Sequence, residues 1–228
     1  MQHLLLLHGA LGSKAQLASL ASALQDHYTV HTLNFPGHGG RPFPEAPFSI
    51  PFFSEQVSTY MQEMGILQAH IFGYSMGGYA AMYLAKQYPD KVNKLITLAT
   101  KFHWDEQTAT QEAGMLDATI IQQKLPAFAA QLQERHAPND WMALLDKTKQ
   151  LLTGLGQHNA LQLPDYRAVT TPVLLLLGDR DKMVTLEETV AVYQQLPTAQ
   201  LGVLPNTPHA IEKAVVDALA DTIRRFLG

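Results

Sequence analysis

Cysteine is absent from the 228 residues. That single absence excludes a disulfide framework, a thiolate nucleophile and a cysteine-ligated metal centre. Long apolar runs are missing as well: no stretch reaches the roughly 18 residues of a membrane-spanning helix. Charge is sparse, at 16% of residues, with a net of −4 and no basic stretch. The electrostatic footprint of a nucleic-acid-binding chain is therefore lacking. There is no His-Glu-x-x-His and no close set of histidines with carboxylates, so no metal is expected. Gly9 and Gly12 do not make the Gly-x-Gly-x-x-Gly of a dinucleotide site. Gly37-His38-Gly39-Gly40 lacks the Lys-Ser/Thr of a phosphate loop. No cofactor is expected, and no internal repeat or low-complexity segment breaks the chain.

What is present is apolar and alternating. Hydrophobic residues make up 46% of the chain, enough for one α/β domain with an insertion. The start, Met1 to His8, is apolar but short and has no cationic lead. It reads as a buried strand rather than a signal peptide, and a cytoplasmic protein follows as the expectation. Continuous apolar runs predict parallel strands at Leu4–Leu7, Tyr28–Leu33, Ala69–Phe72, Lys94–Thr100, Pro172–Leu177 and Ala199–Leu204. Helical periodicity predicts helices over Gln16–Leu24, Phe52–Met64, Tyr79–Gln87, Glu187–Gln195 and Ala210–Leu227, the last with a stripe of Ile211, Val215, Leu219, Ile223 and Phe226. Between residues 102 and 165 the rhythm changes to helices alone, at Ala109–Gln123, Ala127–Glu134 and Trp141–Leu152. The expected fold class is α/β, a mostly parallel sheet of about six strands with helices on both faces. Residues 1–101 and 166–228 form its core and residues 102–165 a helical cap insertion. In such sheets the site lies beyond the C-terminal strand ends.

One stretch dominates that rim. Gly73-Tyr74-Ser75-Met76-Gly77 joins an apolar strand to a helix, the Gly-x-Ser-x-Gly arrangement. A serine hydroxyl becomes a useful nucleophile only when it stands clear of the backbone beside a base. A sharp strand-to-helix turn achieves this, and its glycines admit the close backbone approach. The new helix also aims its free N–H groups at the site.

Taken with His8-Gly9-Ala10, an aspartate after the fifth strand and a late His209, in that order, the chain resembles the α/β-hydrolase family. Pro36-Gly37-His38-Gly39 resembles that family's loop after the second matched strand. The chain opens on what resembles the family's third strand, so the usual leading hairpin is missing and one sheet edge is left exposed. An exposed edge suggests either a covered edge or a homodimer.

The resemblance implies Ser75 as nucleophile, His209 as base and a carboxylate that orients the imidazole. Asp181, in Gly178-x-x-Asp181, is favoured for the carboxylate, with Asp179 as the alternative. It also implies an oxyanion hole from the N–H groups of Met76 and Ala10, with Leu11 as the alternative to Ala10. His8 and His38 are expected to organise loops rather than move protons.

The insertion is expected to set substrate choice. Most of its aromatic and aliphatic side chains should form a small core of their own. Trp104 and Trp141, with Tyr74 and Leu11, should line an apolar pocket. Lys101, Arg135 and Arg167 are the cations that could converge on a substrate carboxylate; with no obvious arginine cluster, an uncharged carboxylic ester of small to medium size is the expected substrate. Two other readings remain open. One keeps the fold for carbon–carbon bond hydrolysis, a menaquinone-pathway-type lyase or perhydrolysis. The other is a non-catalytic ligand-binding protein.

Overall fold

A computed structural model describes all 228 residues. The elements run β1 (His3–Leu7), α1 (Ala18–Leu24), β2 (Thr29–Thr32), α2 (Ile50–Glu63), β3 (Ala69–Tyr74), α3 (Met76–Gln87), β4 (Val92–Leu98), α4 (Glu106–Gly114), α5 (Ala118–Lys124), α6 (Pro126–His136), α7 (Trp141–Gln157), β5 (Val173–Gly178), α8 (Leu186–Tyr193), β6 (Ala199–Leu204) and α9 (Val216–Leu227). The six strands form one sheet in the order β2-β1-β3-β4-β5-β6, and every neighbouring pair is parallel. No helix is long and apolar enough to cross a membrane.

The apolar runs explain the layers. Successive strand residues face opposite sides. Leu4 and Leu6 accordingly join Leu20 and Leu24 of α1 and Leu219, Ile223 and Leu227 of α9 on one face. Leu5 and Leu7 join Phe53 and Val57 of α2, Ala80 and Leu84 of α3 and Val192 of α8 on the other. All four leucines are fully buried, each worth about 2 kcal/mol in apolar transfer. A central strand covered on both faces has no room for the polar alternation of an amphipathic strand.

Four local readings change in the structure. Helix α2 begins at Ile50, not Phe52, because the Ser49 side chain accepts the Phe52 N–H and caps it. Pro51 is tolerated there, since a first-turn N–H has no helical partner to lose. The single helix expected over Ala109–Gln123 divides into α4 and α5. Gly114 ends the first, and Asp117 caps the second through the Ile120 N–H. Helix α3 starts at Met76, immediately after Ser75. The last helix starts at Val216, and a short 3-10 turn over Ile211–Lys213 precedes it. Val215, expected in the apolar stripe, is consequently 65% exposed, whereas Ala220 and Leu227 are buried.

Helices α4 to α7 occupy the interval between β4 and β5. Their buried side chains, among them Ile121, Leu132, Trp141, Leu144 and Leu155, belong to the same apolar cluster as Leu5, Leu7 and Phe53. A separate core for the insertion, as its composition suggested, does not form. Its apolar faces continue the sheet's own core, which buries more area than a small isolated bundle would.

Candidate active site

The geometry of residues 73–78 follows from three close backbone approaches. Ser75 sits at φ 52°, ψ −120°, a left-handed conformation that a non-glycine residue holds only when its surroundings enforce it. They do so here. The Ser75 N–H donates to Leu98 O at 2.9 Å, and the Thr100 hydroxyl donates to Ser75 O at 3.1 Å. A Cβ on Gly73 would lie 2.5 Å from the Gly78 backbone. One on Gly77 would lie 2.5 Å from His8 O. Without side chains at these positions α3 drops onto the ends of β1 and β3. Ser75 is then thrown up at the rim, with the first N–H groups of the helix beneath it.

The loops after β5 and β6 meet over the same rim. Arg180 N–H donates to Thr207 O and Asp179 N–H to Leu204 O, both at 3.1 Å. This seam brings His209 against Asp181, with His209 Nδ1 2.8 Å from Asp181 Oδ2. The Asp181 carboxylate is fully buried, and the His209 side chain is 18% exposed. Asp181 Oδ1 accepts the N–H groups of Met183 and Val184 at 2.8 and 2.9 Å. Burial pushes this carboxyl upward, but the hydrogen bond and charge of His209, with the two N–H groups, outweigh it. Its pKa ends below the ordinary carboxylate value. An ionised carboxylate accepting Nδ1–H leaves Nε2 of His209 free to take a proton. Asp179 faces elsewhere: its Oδ1 accepts the Thr207 N–H at 3.1 Å.

Tyr74 lies beside the imidazole, ring centroids 5.6 Å apart. Burial and the neighbouring Glu212 push its hydroxyl well above the ordinary tyrosine value, so it stays neutral. The Ser75 Cβ is 3.0 Å from where a Cβ on Gly9 would be, which brings the loop after β1 alongside the serine. Within that loop the Ala10 N–H makes no hydrogen bond to the protein. The Ser75 hydroxyl makes none either.

His8 and His38 are fully buried. His8 Nε2 accepts the Phe35 N–H at 3.1 Å, so Nδ1 carries the proton and donates to Gly9 O at 2.7 Å. His38 Nδ1 lies 3.0 Å from Pro36 O. Both rings tie loops together, and neither is hydrogen-bonded to Ser75. Desolvation brings His8 down to about 4 and His38 well below the ordinary imidazole value, so both are neutral.

The remaining residues singled out from sequence divide. Leu11 is in the loop beside Gly9 but is 9% exposed, with its carbonyl engaged by α6. Trp104 donates Nε1–H to Lys101 O at 3.2 Å. Trp141 is buried at the start of α7, within the main apolar cluster. Lys101, Arg135 and Arg167 do not converge. Lys101 lies 3.7 Å from Glu112 and 3.4 Å from Glu188, Arg135 reaches Leu11 O and Glu212, and Arg167 donates to Gln195. The Lys101–Glu112–Glu188 group was not visible in the sequence. Burial raises Glu112 above the ordinary glutamate value, with Lys101 and His209 pulling the other way. No three His, Cys, Asp or Glu side chains cluster as metal ligands would.

Comparison with known proteins agrees with the fold. Residues 2–120, just over half of the chain, match the family model described as alpha/beta hydrolase fold. The chain is 27% identical to the pimeloyl-acyl-carrier-protein methyl ester esterase of Aeromonas hydrophila over 99% of this chain and 95% of that one. It is 25% identical to an sn-1-specific diacylglycerol lipase of Mus musculus over 97% of this chain and 80% of that one. Among solved structures, a bacterial membrane phospholipase A superposes with a TM-score of 0.83 at 24% identity, covering 99% of this chain and 78% of that chain. The enol-lactonase of Burkholderia xenovorans superposes with a TM-score of 0.80 at 19% identity, covering 99% and 91%. At these identities the two structures speak for the fold alone.

Proposed function

The chain belongs to the alpha/beta hydrolase fold family, and from that premise we propose that it is a serine hydrolase of the carboxylesterase type, with Ser75, His209 and Asp181 as its triad. The observation that carries the reading is the 2.8 Å contact between His209 Nδ1 and a buried Asp181, at the rim where Ser75 is held at positive φ.

In the reaction Ser75 Oγ attacks the ester carbonyl and forms the C–O bond of a tetrahedral intermediate. His209 Nε2 takes the hydroxyl proton and then delivers it to the departing alcohol oxygen. Asp181 keeps the imidazole in the Nδ1–H tautomer and stabilises the imidazolium. The N–H groups of Met76 and Ala10 receive the negative charge on the carbonyl oxygen. Water, activated by the same imidazole, then cleaves the acyl-enzyme and restores Ser75. The unengaged Ser75 hydroxyl fits a site whose hydrogen bond to the base tightens when substrate binds.

Residues 102–165 serve as the cap over this site, with residues 1–101 and 166–228 as the core. The cap carries four Lys/Arg against eight Asp/Glu, which disfavours polyanionic substrates. Of the three cations considered for a substrate carboxylate, Lys101 and Arg135 already face carboxylates and Arg167 is bonded to Gln195. The substrate is a small-molecule ester, and an uncharged acyl group of small to medium length fits best. Tyr74, Leu11, Trp104 and Trp141 are the proposed apolar contacts.

The test is a fluorophosphonate probe read by intact-protein mass on the native chain and on Ser75→Ala, followed by esters of increasing acyl length. The methyl ester of a medium-length acyl chain, the substrate type in the name of the Aeromonas relative, belongs in that series. One adduct, abolished in Ser75→Ala, together with Ser75-dependent ester turnover, is the expected result. Full ester turnover by Ser75→Ala would sink the mechanism.

A further inference from the structure

Two consecutive residues of α6 converge on one carbonyl far away in the chain. Arg135 Nη1 donates to Leu11 O at 3.0 Å, and His136 Nε2 lies 3.0 Å from the same oxygen. The chemistry of His136 is fixed by its other nitrogen. The Gly39 N–H donates to His136 Nδ1 at 3.1 Å, so Nδ1 is the acceptor and Nε2 carries the proton that goes to Leu11 O. The ring is fully buried. Arg135 reaches on to Glu212 with Nη2, at 3.5 Å, and Gln16 donates to the same Glu212 oxygen. A segment of two residues thus touches the loops after β1, β2 and β6 together.

Leu11 needs to be held. It has φ 56°, a conformation that costs a residue with a Cβ and persists only under external restraint. The restraint acts through planar peptides. The Leu11 carbonyl shares its plane with the Gly12 N–H, and the two point in opposite directions. The Gly12 N–H donates to Gly9 O at 3.1 Å, where His8 Nδ1–H also arrives. The Gly9 carbonyl in turn shares its plane with the Ala10 N–H, which points the other way. A carbonyl pinned from α6 therefore decides, two peptide units away, where the Ala10 N–H is aimed.

We propose that Arg135 and His136 are positioning residues for the oxyanion hole: their shared grip on the Leu11 carbonyl locks the Gly9–Ala10 peptide so that its N–H faces the position of the developing oxyanion. This role rests on the reading of Ala10 as the second oxyanion donor. It makes the insertion a working part of the catalytic machinery and not merely a wall of the pocket. It also explains why a buried neutral imidazole, costly to desolvate, is retained on the inner side of α6.

The experiment compares the native chain with His136→Leu, Arg135→Met and His136→Gln. It measures kcat and KM on one good ester and the affinity for a trifluoromethyl ketone of the same acyl group. The ketone's adduct with Ser75 places an oxyanion in the hole. Loss of a whole oxyanion donor costs about 10²- to 10³-fold, so misaiming one is expected to cost about 10- to 100-fold in kcat. KM should change little, and ketone affinity should fall by the same factor as kcat. His136→Gln should recover most of the loss, because its amide oxygen accepts the Gly39 N–H and its amide N–H reaches Leu11 O.

Native kcat and ketone affinity in a folded His136→Leu overturn the proposal. If that variant does not fold, Arg135→Met carries the test on the same two readouts, since Arg135 is partly exposed. A chain with no Ser75-dependent turnover overturns the esterase reading and the positioning role together. Ser75-dependent turnover indifferent to Arg135 and His136 overturns the positioning role alone.

Discussion

Asp179 accepts the backbone N–H of Thr207 at 3.1 Å and so holds the loop that carries His209, while Asp181, two residues later, meets the imidazole itself at 2.8 Å. Adjacent carboxylates of one loop thus face different groups, and the two bonds are of different kinds. An Asn at 179 keeps an oxygen for the Thr207 N–H. An Asn at 181 presents a neutral group that no longer stabilises the imidazolium and allows the wrong tautomer. Asp181→Asn is expected to lower kcat by about 10³- to 10⁴-fold, and Asp179→Asn by about tenfold or less. Steady-state kinetics of both variants on one ester check this, and equal losses would contradict the division.

Acid should unfold the protein earlier than its carboxylates alone require. His8 and His136 are brought to about 4, chiefly by desolvation, and His38 is held well below its ordinary value for the same reason. The folded values lie below the unfolded one, so the unfolded chain takes up protons first as pH falls. The stability these rings contribute is complete above about 6.5 and is lost progressively toward 4. For His8 alone the loss amounts to about 3 kcal/mol. Asp181, also lowered, extends the same trend to lower pH. Glu112, raised by burial, has the opposite sign, but it is one carboxyl against three imidazoles. The urea midpoint should fall from pH 7.5 to 6 and again to 5; a midpoint constant over that range would show that these rings protonate freely in the folded chain.

Gly77 is the tightest test of how Ser75 is presented. A Cβ there would lie 2.5 Å from His8 O and 2.7 Å from Leu7 O, both on the backbone of the central strand and its exit. Neither atom can swing away as a side chain would. Gly77→Ala is expected to cost about 3 kcal/mol by overpacking and to slow fluorophosphonate labelling of Ser75 as α3 is pushed off β1. Urea denaturation and labelling rates measure the two effects. Gly154→Ala, on α7 where a Cβ meets nothing within 4 Å, is the control that should keep native labelling and lose no stability, alanine being the better helix former.

The sequence by itself determined the fold class and marked the strand ends where the candidate residues lie. Strands rich in Leu, Ile and Val read as buried parallel strands because both faces of each must be apolar. The turn around Ser75 was legible because one of its constraints is local: Gly73 packs against the Gly78 backbone within six residues, whereas Gly77 answers to the distant His8 carbonyl. Its place after the last strand, together with the family resemblance, put His209 forward as the base.

Tertiary structure alone decided the rest. Asp179 and Asp181 are equivalent as side chains in a loop, and only the seam with residues 204–209 gives them separate partners. The insertion's apolar residues could not reveal from composition that they extend the sheet's core. Val215 fitted a helical stripe, yet the chain breaks before it and leaves it in water. Arg135 and His136 showed no local pattern, because their partner is a single carbonyl 124 and 125 positions away. A hydrogen bond to backbone is blind to the identity of the residue that supplies the oxygen. No sequence spacing encodes it, and only the folded path of α6 across the strand ends creates it.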